Sequence, residues 1–265
     1  MSNLRRSQFW IEESLSDFRQ ASEVENTIFF PQHFIDEHAK TRTFQSSKKK
    51  LTSLLFLLNS KLSKDGRPTI FRKLLDKHSL LNALSEIHYE ITDNSYWHAL
   101  KTGANTYYQK TSDEVFFGDI LCLQIHSFSR INPRKAKIDK DWPEDLSDYV
   151  AQYSKSFGKK SVRFVITSYI DNGPGILQHV RRFSINDASN PATISDIIES
   201  KITTRDIPGA GEGLSHVLKA ISEVNGLLIL TSGDRRFVFS GLTEEKIEHS
   251  IENSRGTMIT IITPV

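Results

Sequence analysis

The chain reads as an α/β protein: a mixed, mostly antiparallel sheet covered on one face by helices. Three observations predict it. Helical periodicity fills much of the N-terminal third, strand-like runs dominate the second half, and two glycine clusters lie at junctions between strands and helices there. Helices that come before most of the strands favour a sheet with helices laid against it.

Taken in order, residues 8–22 read as a short helix and 26–30 as a strand, where Thr27, Ile28, Phe29 and Phe30 are β-branched or aromatic. Pro31 interrupts the strand, and 32–40 is weakly helical. Across 46–62, Leu51, Leu54, Leu55, Leu58 and Leu62 keep the spacing of an amphipathic helix. The lysines at 48–50 precede that stripe and read as a solvated face, with a phosphate contact as the alternative. Asp65-Gly66-Arg67-Pro68 is a turn, and a long helical pattern follows from 70 to 101.

Residues 116–128 then read as a strand, 129–141 as a basic loop, and 144–157 as a helix behind Pro143. A second strand, 161–170, alternates Val162, Phe164 and Ile166. The polar stretch 184–208 reads as a mobile loop carrying one short helix near 193–200. A helix at 213–224 and strands at 227–231 and 236–239 follow. After a polar stretch, 243–254, a last strand starts at Gly256-Thr257 and ends at Pro264. The expected organisation is a mainly helical N-terminal extension with one strand (1–70) and a larger domain (71–265) carrying an insertion at about 129–160.

Composition excludes several classes. Hydrophobic residues at 38% and charged residues at 25% fit a folded soluble domain rather than a disordered chain. With 34 basic against 32 acidic residues the net charge is +2, so no global field indicates nucleic acid or an anionic membrane. No apolar run approaches the roughly 18 residues of a membrane span. Residues 1–20 lack the apolar segment of a signal peptide, and a cytoplasmic location is expected. The single cysteine, Cys122, lies in an apolar run and is expected to be a buried, inert thiol in a reducing compartment.

Three constellations carry chemistry. Glu90, Asn94 and His98 recur every fourth residue, which on a helix puts them on one ridge. A carboxylate and a carboxamide one turn apart can serve a water nucleophile and a magnesium ion, although a polar face in solvent has the same pattern. Asp171-Asn172-Gly173-Pro174-Gly175-Ile176 follows a strand. Asp171 can accept a hydrogen bond from an exocyclic amine, and Gly173 and Gly175 let backbone approach a flat ligand; an ordinary tight turn is the alternative. Gly209-Ala210-Gly211-Glu212-Gly213-Leu214 opens a helix, where backbone N–H groups can receive phosphate oxygens. It is neither a Walker loop nor a dinucleotide fingerprint.

In their order, these segments resemble the GHKL group of DNA gyrase, heat-shock chaperone ATPases, histidine kinases and mismatch-repair ATPases. The Glu90/Asn94 helix is similar to the N box, 171–175 to the first glycine box, 209–213 to the second, and Gly256-Thr257 to the terminal Gly-Thr element. The resemblance implies a Bergerat-type two-layer sandwich holding ATP and Mg²⁺. It gives Asn94 the metal, Asp171 the adenine amine and Thr257 a supporting bond. Gly209, Gly211 and Gly213 would contact the phosphates, with 184–208 as lid, and Gly173, Gly175, Ile176 and Leu214 complete the expected nucleotide-binding set. Glu90 matches the position that activates water in hydrolysing members, and also the base of serine-directed kinases, where a pair like His98-Ala99 often follows.

No histidine here is followed directly by an acid, Trp97 stands where histidine kinases often have a basic residue, and the chain stops eight residues after Thr257, short of a transducer lysine. The expected function is therefore a Mg-dependent ATPase acting as a nucleotide-controlled switch on a partner protein. The alternatives are a kinase of the same fold acting on a partner's Ser or Thr, and a non-catalytic nucleotide-binding interaction module. Homodimerisation stays open.

Overall fold

The computed structural model describes residues 24–31, 78–94, 97–98, 120–131, 144–159, 162–171, 173–183, 191–204, 210–254 and 256–265. The helices expected at 8–22, 32–40 and 46–62, the lysines at 48–50, the turn at 65–68 and Gly209 lie outside these residues.

Seven strands form one sheet in the order β1-β2-β3-β7-β4-β5-β6. They are β1 (Val24–Pro31), β2 (Ile120–Ile131), β3 (Val162–Asp171), β4 (Leu227–Ser232), β5 (Arg235–Ser240), β6 (Glu245–Ser250) and β7 (Thr257–Pro264). Every neighbouring pair is antiparallel, so the expected mixed sheet is corrected. The reason lies in β7. Strands β3 and β4 run the same way, and the last strand inserts between them, antiparallel to both. The strand anticipated in the N-terminal extension, β1, is the edge of this same sheet, paired along its whole length with β2.

Among the described residues five helices accompany the sheet: α1 (His78–Asn94), α2 (Glu144–Phe157), α3 (Ile176–Phe183), α4 (Ile194–Glu199) and α5 (Gly213–Glu223). In α1, Leu80, Leu84, Ile87 and Ile91 recur at helical spacing and are buried. They join Val217 and Ile221 of α5, Leu177 and Val180 of α3, and Ile194, Ile197 and Ile198 of α4 in one core. The sheet meets them with Val165 and Tyr169 of β3, Leu228 and Leu230 of β4, and Ile259 and Ile261 of β7.

The intervening residues of the same strands point the other way. Phe164, Ile166 and Ile170 of β3, Leu227 and Ile229 of β4, and Ile262 of β7 pack against α2. The expectation of helices on one face only, in two layers, is thereby corrected. Strands β3, β4 and β7 are apolar on both sides, and a face so apolar needs cover. Helix α2 supplies it from the expected insertion with Leu146, Tyr149, Val150 and Tyr153, spaced i, i+3, i+4 and i+7. Tyr149 Oη donates to the Asn225 carbonyl at 2.5 Å, and Arg236 Nη2 meets Asp145 Oδ2 at 2.6 Å. These tie the helix to the turn after α5 and to β5.

Candidate functional site

Strand register builds the floor. Asp171 of β3 is paired with Thr257 of β7, and Thr257 with Ser232 of β4. All three alternate onto the face that carries Tyr169, Ile259 and Leu230, so three polar side chains stand abreast beneath the helices. Asp171 Oδ1 accepts from Gly173 N at 2.9 Å, closing the turn after β3. Ser232 is fully buried; its Oγ accepts from Ile176 N at 2.7 Å and lies 3.3 Å from Thr257 Oγ1. One orphan donor at the start of α3 is thus satisfied from the sheet. Gly175 permits this approach: φ is 89°, and a Cβ would stand 3.0 Å from Ser232 Oγ.

Above this floor is a small cavity that opens to solvent. Asn94, His98 and Ile91 line it from the α1 side; Asp171, Gly175 and Ile176 from the end of β3 and the turn; Thr257 and Ile259 from β7. Gly211, Gly213 and Leu214 contribute from the start of α5. Four separated sequence segments therefore meet around one space. Glu90 is not on its wall: it lies beside Gly213, where a Cβ would come 2.8 Å from Glu90 Oε2. Gly173 is not on the wall either and serves Asp171 instead.

The expected ridge of three polar residues is altered. Helix α1 ends at Asn94, and residues 97–98 belong to a wider, π-type turn, yet His98 still reaches the cavity. There it meets groups that no motif flagged. His179 of α3 lies 4.7 Å from the His98 ring, and the Thr204 hydroxyl sits between them, 3.1 Å from His179 Nε2 and 3.3 Å from His98 Nδ1. Burial pushes the His179 imidazole down to about 4, so the ring is neutral at pH 7.

The stretch expected as a lid is described over 191–204, and Ile197, Ile198, Ile202, Thr203 and Thr204 form one wall. Its short helix α4 is fixed by an N-terminal capping box of Thr193 and Asp196. The Glu248 carboxylate of β6 accepts from Ile194 N and Ser195 N at 2.9 and 3.0 Å. Beyond α4, the Lys201 carbonyl packs so tightly on Gly211 that a Cβ there would collide with it. Gly211 also has a φ of 90°. Lys201 Nζ reaches Glu212 Oε1 at 2.7 Å and holds that carboxyl below its usual range by hydrogen bond and charge. The second glycine cluster is thus a docking surface for the wall segment as well as the start of a helix.

Chemically, the cavity offers isoleucine, valine and leucine walls with polar atoms at fixed points. A flat, partly apolar ligand with a donor edge toward Asp171 and Thr257 matches this pattern. Among the described residues no group of three or more His, Cys, Asp or Glu side chains could hold a metal ion. A magnesium ion would need a ligand's own oxygens beside the Asn94 carboxamide, which fits the hydrated, phosphate-bound habit of that ion. No helix among the described residues is long and apolar enough to cross a membrane. No protein-family model matches the chain, and neither a curated protein nor a solved structure matches it.

Proposed function

We propose that the cavity binds ATP, in a Bergerat-type arrangement with α2 added behind the sheet, and that the protein is an ATP-hydrolysing switch for a partner protein. The observation that carries the reading is convergence. Asn94, Asp171, Gly175, Gly213 and Thr257, singled out from four distant stretches, border one space.

In this reading Asp171 accepts the adenine amine, Thr257 supports it, and Ile91, Ile176 and Ile259 sandwich the ring. The triphosphate runs toward Gly211 and the N-terminus of α5, where backbone N–H groups and the helix dipole favour an anion. Glu212 at that end would repel phosphate, and its Lys201 partner offsets the charge. Asn94 would hold Mg²⁺, which supplies charge neutralisation on the phosphates when bound. Glu90 lies beside Gly213, outside the cavity wall as it stands, and would orient the attacking water and accept its proton where the γ-phosphate reaches the start of α5. The segment 191–204 is the wall whose position a bound nucleotide changes, and so the part a partner would read.

Titration calorimetry with Mg-ATP tests the pocket. The wild-type protein binds, and Asp171→Ala loses at least about tenfold in affinity, because a buried amine would be left without its acceptor. Unaltered affinity in that variant refutes the assignment. Radiolabelled ATP separates outcomes downstream: free phosphate supports the switch, and label on a partner Ser or Thr supports the kinase alternative.

A further inference from the structure

We infer that His216 is a positioning residue for Glu90, holding its carboxylate in the direction that water activation needs. This rests on the ATPase reading above. Helices α1 and α5 lie side by side, and the first turn of α5 grips Glu90 from two directions. Gly213, having no side chain, lets Glu90 Oε2 press against its backbone; a Cβ there would be only 2.8 Å away. One turn later, His216 Nδ1 lies 3.1 Å from Glu90 Oε1.

The chemistry of the pair fixes the tautomer. An ionised carboxylate only accepts, so Nδ1 must carry the proton. The other ring nitrogen, Nε2, faces Glu212 Oε2 at 3.8 Å, beyond a hydrogen bond, while Glu212 is itself held by Lys201 at 2.7 Å. The Glu90 side chain is 14% exposed and that of His216 45%, so the imidazole shields the carboxylate on its outer side. A carboxylate beside a glycine has several rotamers open to it. The Nδ1–H bond selects one, and a base displaced by about 1 Å can lose around a hundredfold in rate. His216 acts through Glu90 and does not touch the nucleotide.

The test uses the full chain and three readouts: kcat for Mg-ATP hydrolysis, Kd for a non-hydrolysable ATP analogue, and the thermal midpoint. His216→Leu lowers kcat about tenfold or more and leaves Kd within about twofold. His216→Asn, whose amide nitrogen can stand where Nδ1 does, recovers most of the rate. Unchanged kcat in His216→Leu overturns the inference while leaving the nucleotide site standing. Loss of Kd and thermal midpoint in step with kcat, or equal failure of both variants, also overturns it, since that is a packing role. A wild-type protein that neither binds the analogue nor turns over ATP removes the reading beneath it as well.

Discussion

Ser232 shows how single atoms hold the cavity together. Its hydroxyl bonds the first amide of α3, lies within reach of Thr257 Oγ1, and fills the space that a Cβ on residue 175 would claim. No motif marks it, because a serine ending an apolar strand is unremarkable until register puts it beside Asp171 and Thr257. His179 is a second case, and it makes the fold sensitive to acid. Its ring titrates at about 4 in the folded protein against an ordinary value near 6.5, because burial disfavours the imidazolium. The unfolded chain therefore takes up the proton first. Stability is fully present above pH 6.5 and falls as pH drops toward 4. At about 1.4 kcal/mol per pH unit this window corresponds to roughly 3 kcal/mol. Urea denaturation at pH 7 and pH 4.5 should show His179→Gln losing less stability on acidification than the wild type; equal losses would mean that the ring is hydrated in the native state.

At the scale of elements, what could be read from residues depended on whether burial wrote a period into them. Helix α2 matches its expected range because Leu146, Tyr149, Val150 and Tyr153 repeat as one buried stripe. Strands β3, β4 and β7 were legible as apolar runs, but a run apolar on both sides does not say which helix covers which side. Strand β6 escaped notice because it is an edge strand with exposed Glu245, Lys246 and His249 and no alternation to betray it. Helix α3, of eight residues, begins at a glycine turn whose capping partner, Ser232, comes from 56 residues away. Two predictions belong here. Leu146→Ala should destabilise the fold by about 2–5 kcal/mol, yet leave nucleotide affinity unchanged, because α2 lies behind the sheet. Chemical denaturation and calorimetry together check this, and a matching fall in affinity would show that the two faces are coupled. Gly211→Ala should push the Lys201 carbonyl away and loosen the wall at 197–204. Hydrogen exchange there should rise about tenfold or more, since a strained positive φ and a lost contact together cost at least about 1 kcal/mol. Unchanged protection would mean that the turn relaxes instead.

For the molecule as a whole, seven strands make a platform with polar groups at one end of its centre, and helices pack on both of its faces. The separate segments could be named from residue types and order alone. Their meeting could not, because it depends on β7 sliding between β3 and β4, which local spacing does not encode. Whole-protein stability can test the proposed binding separately from the proposed turnover. A ligand that binds only the folded state stabilises it by about 2.7 kcal/mol at a hundredfold excess over Kd. For a domain of this size that corresponds to a rise of very roughly 5–10 °C in thermal midpoint. Mg-ATP should produce that rise in the wild type. Glu90→Ala should keep it, because Glu90 lies off the cavity wall, and should lose ATP hydrolysis about a hundredfold if the proposed base is Glu90. Asp171→Ala should lose the rise, since its carboxylate is on that wall. Differential scanning fluorimetry with a phosphate-release assay gives all three results. If Glu90→Ala hydrolyses ATP at the wild-type rate, another group activates the water; if saturating Mg-ATP leaves the wild-type midpoint unmoved, the cavity is built for a different ligand.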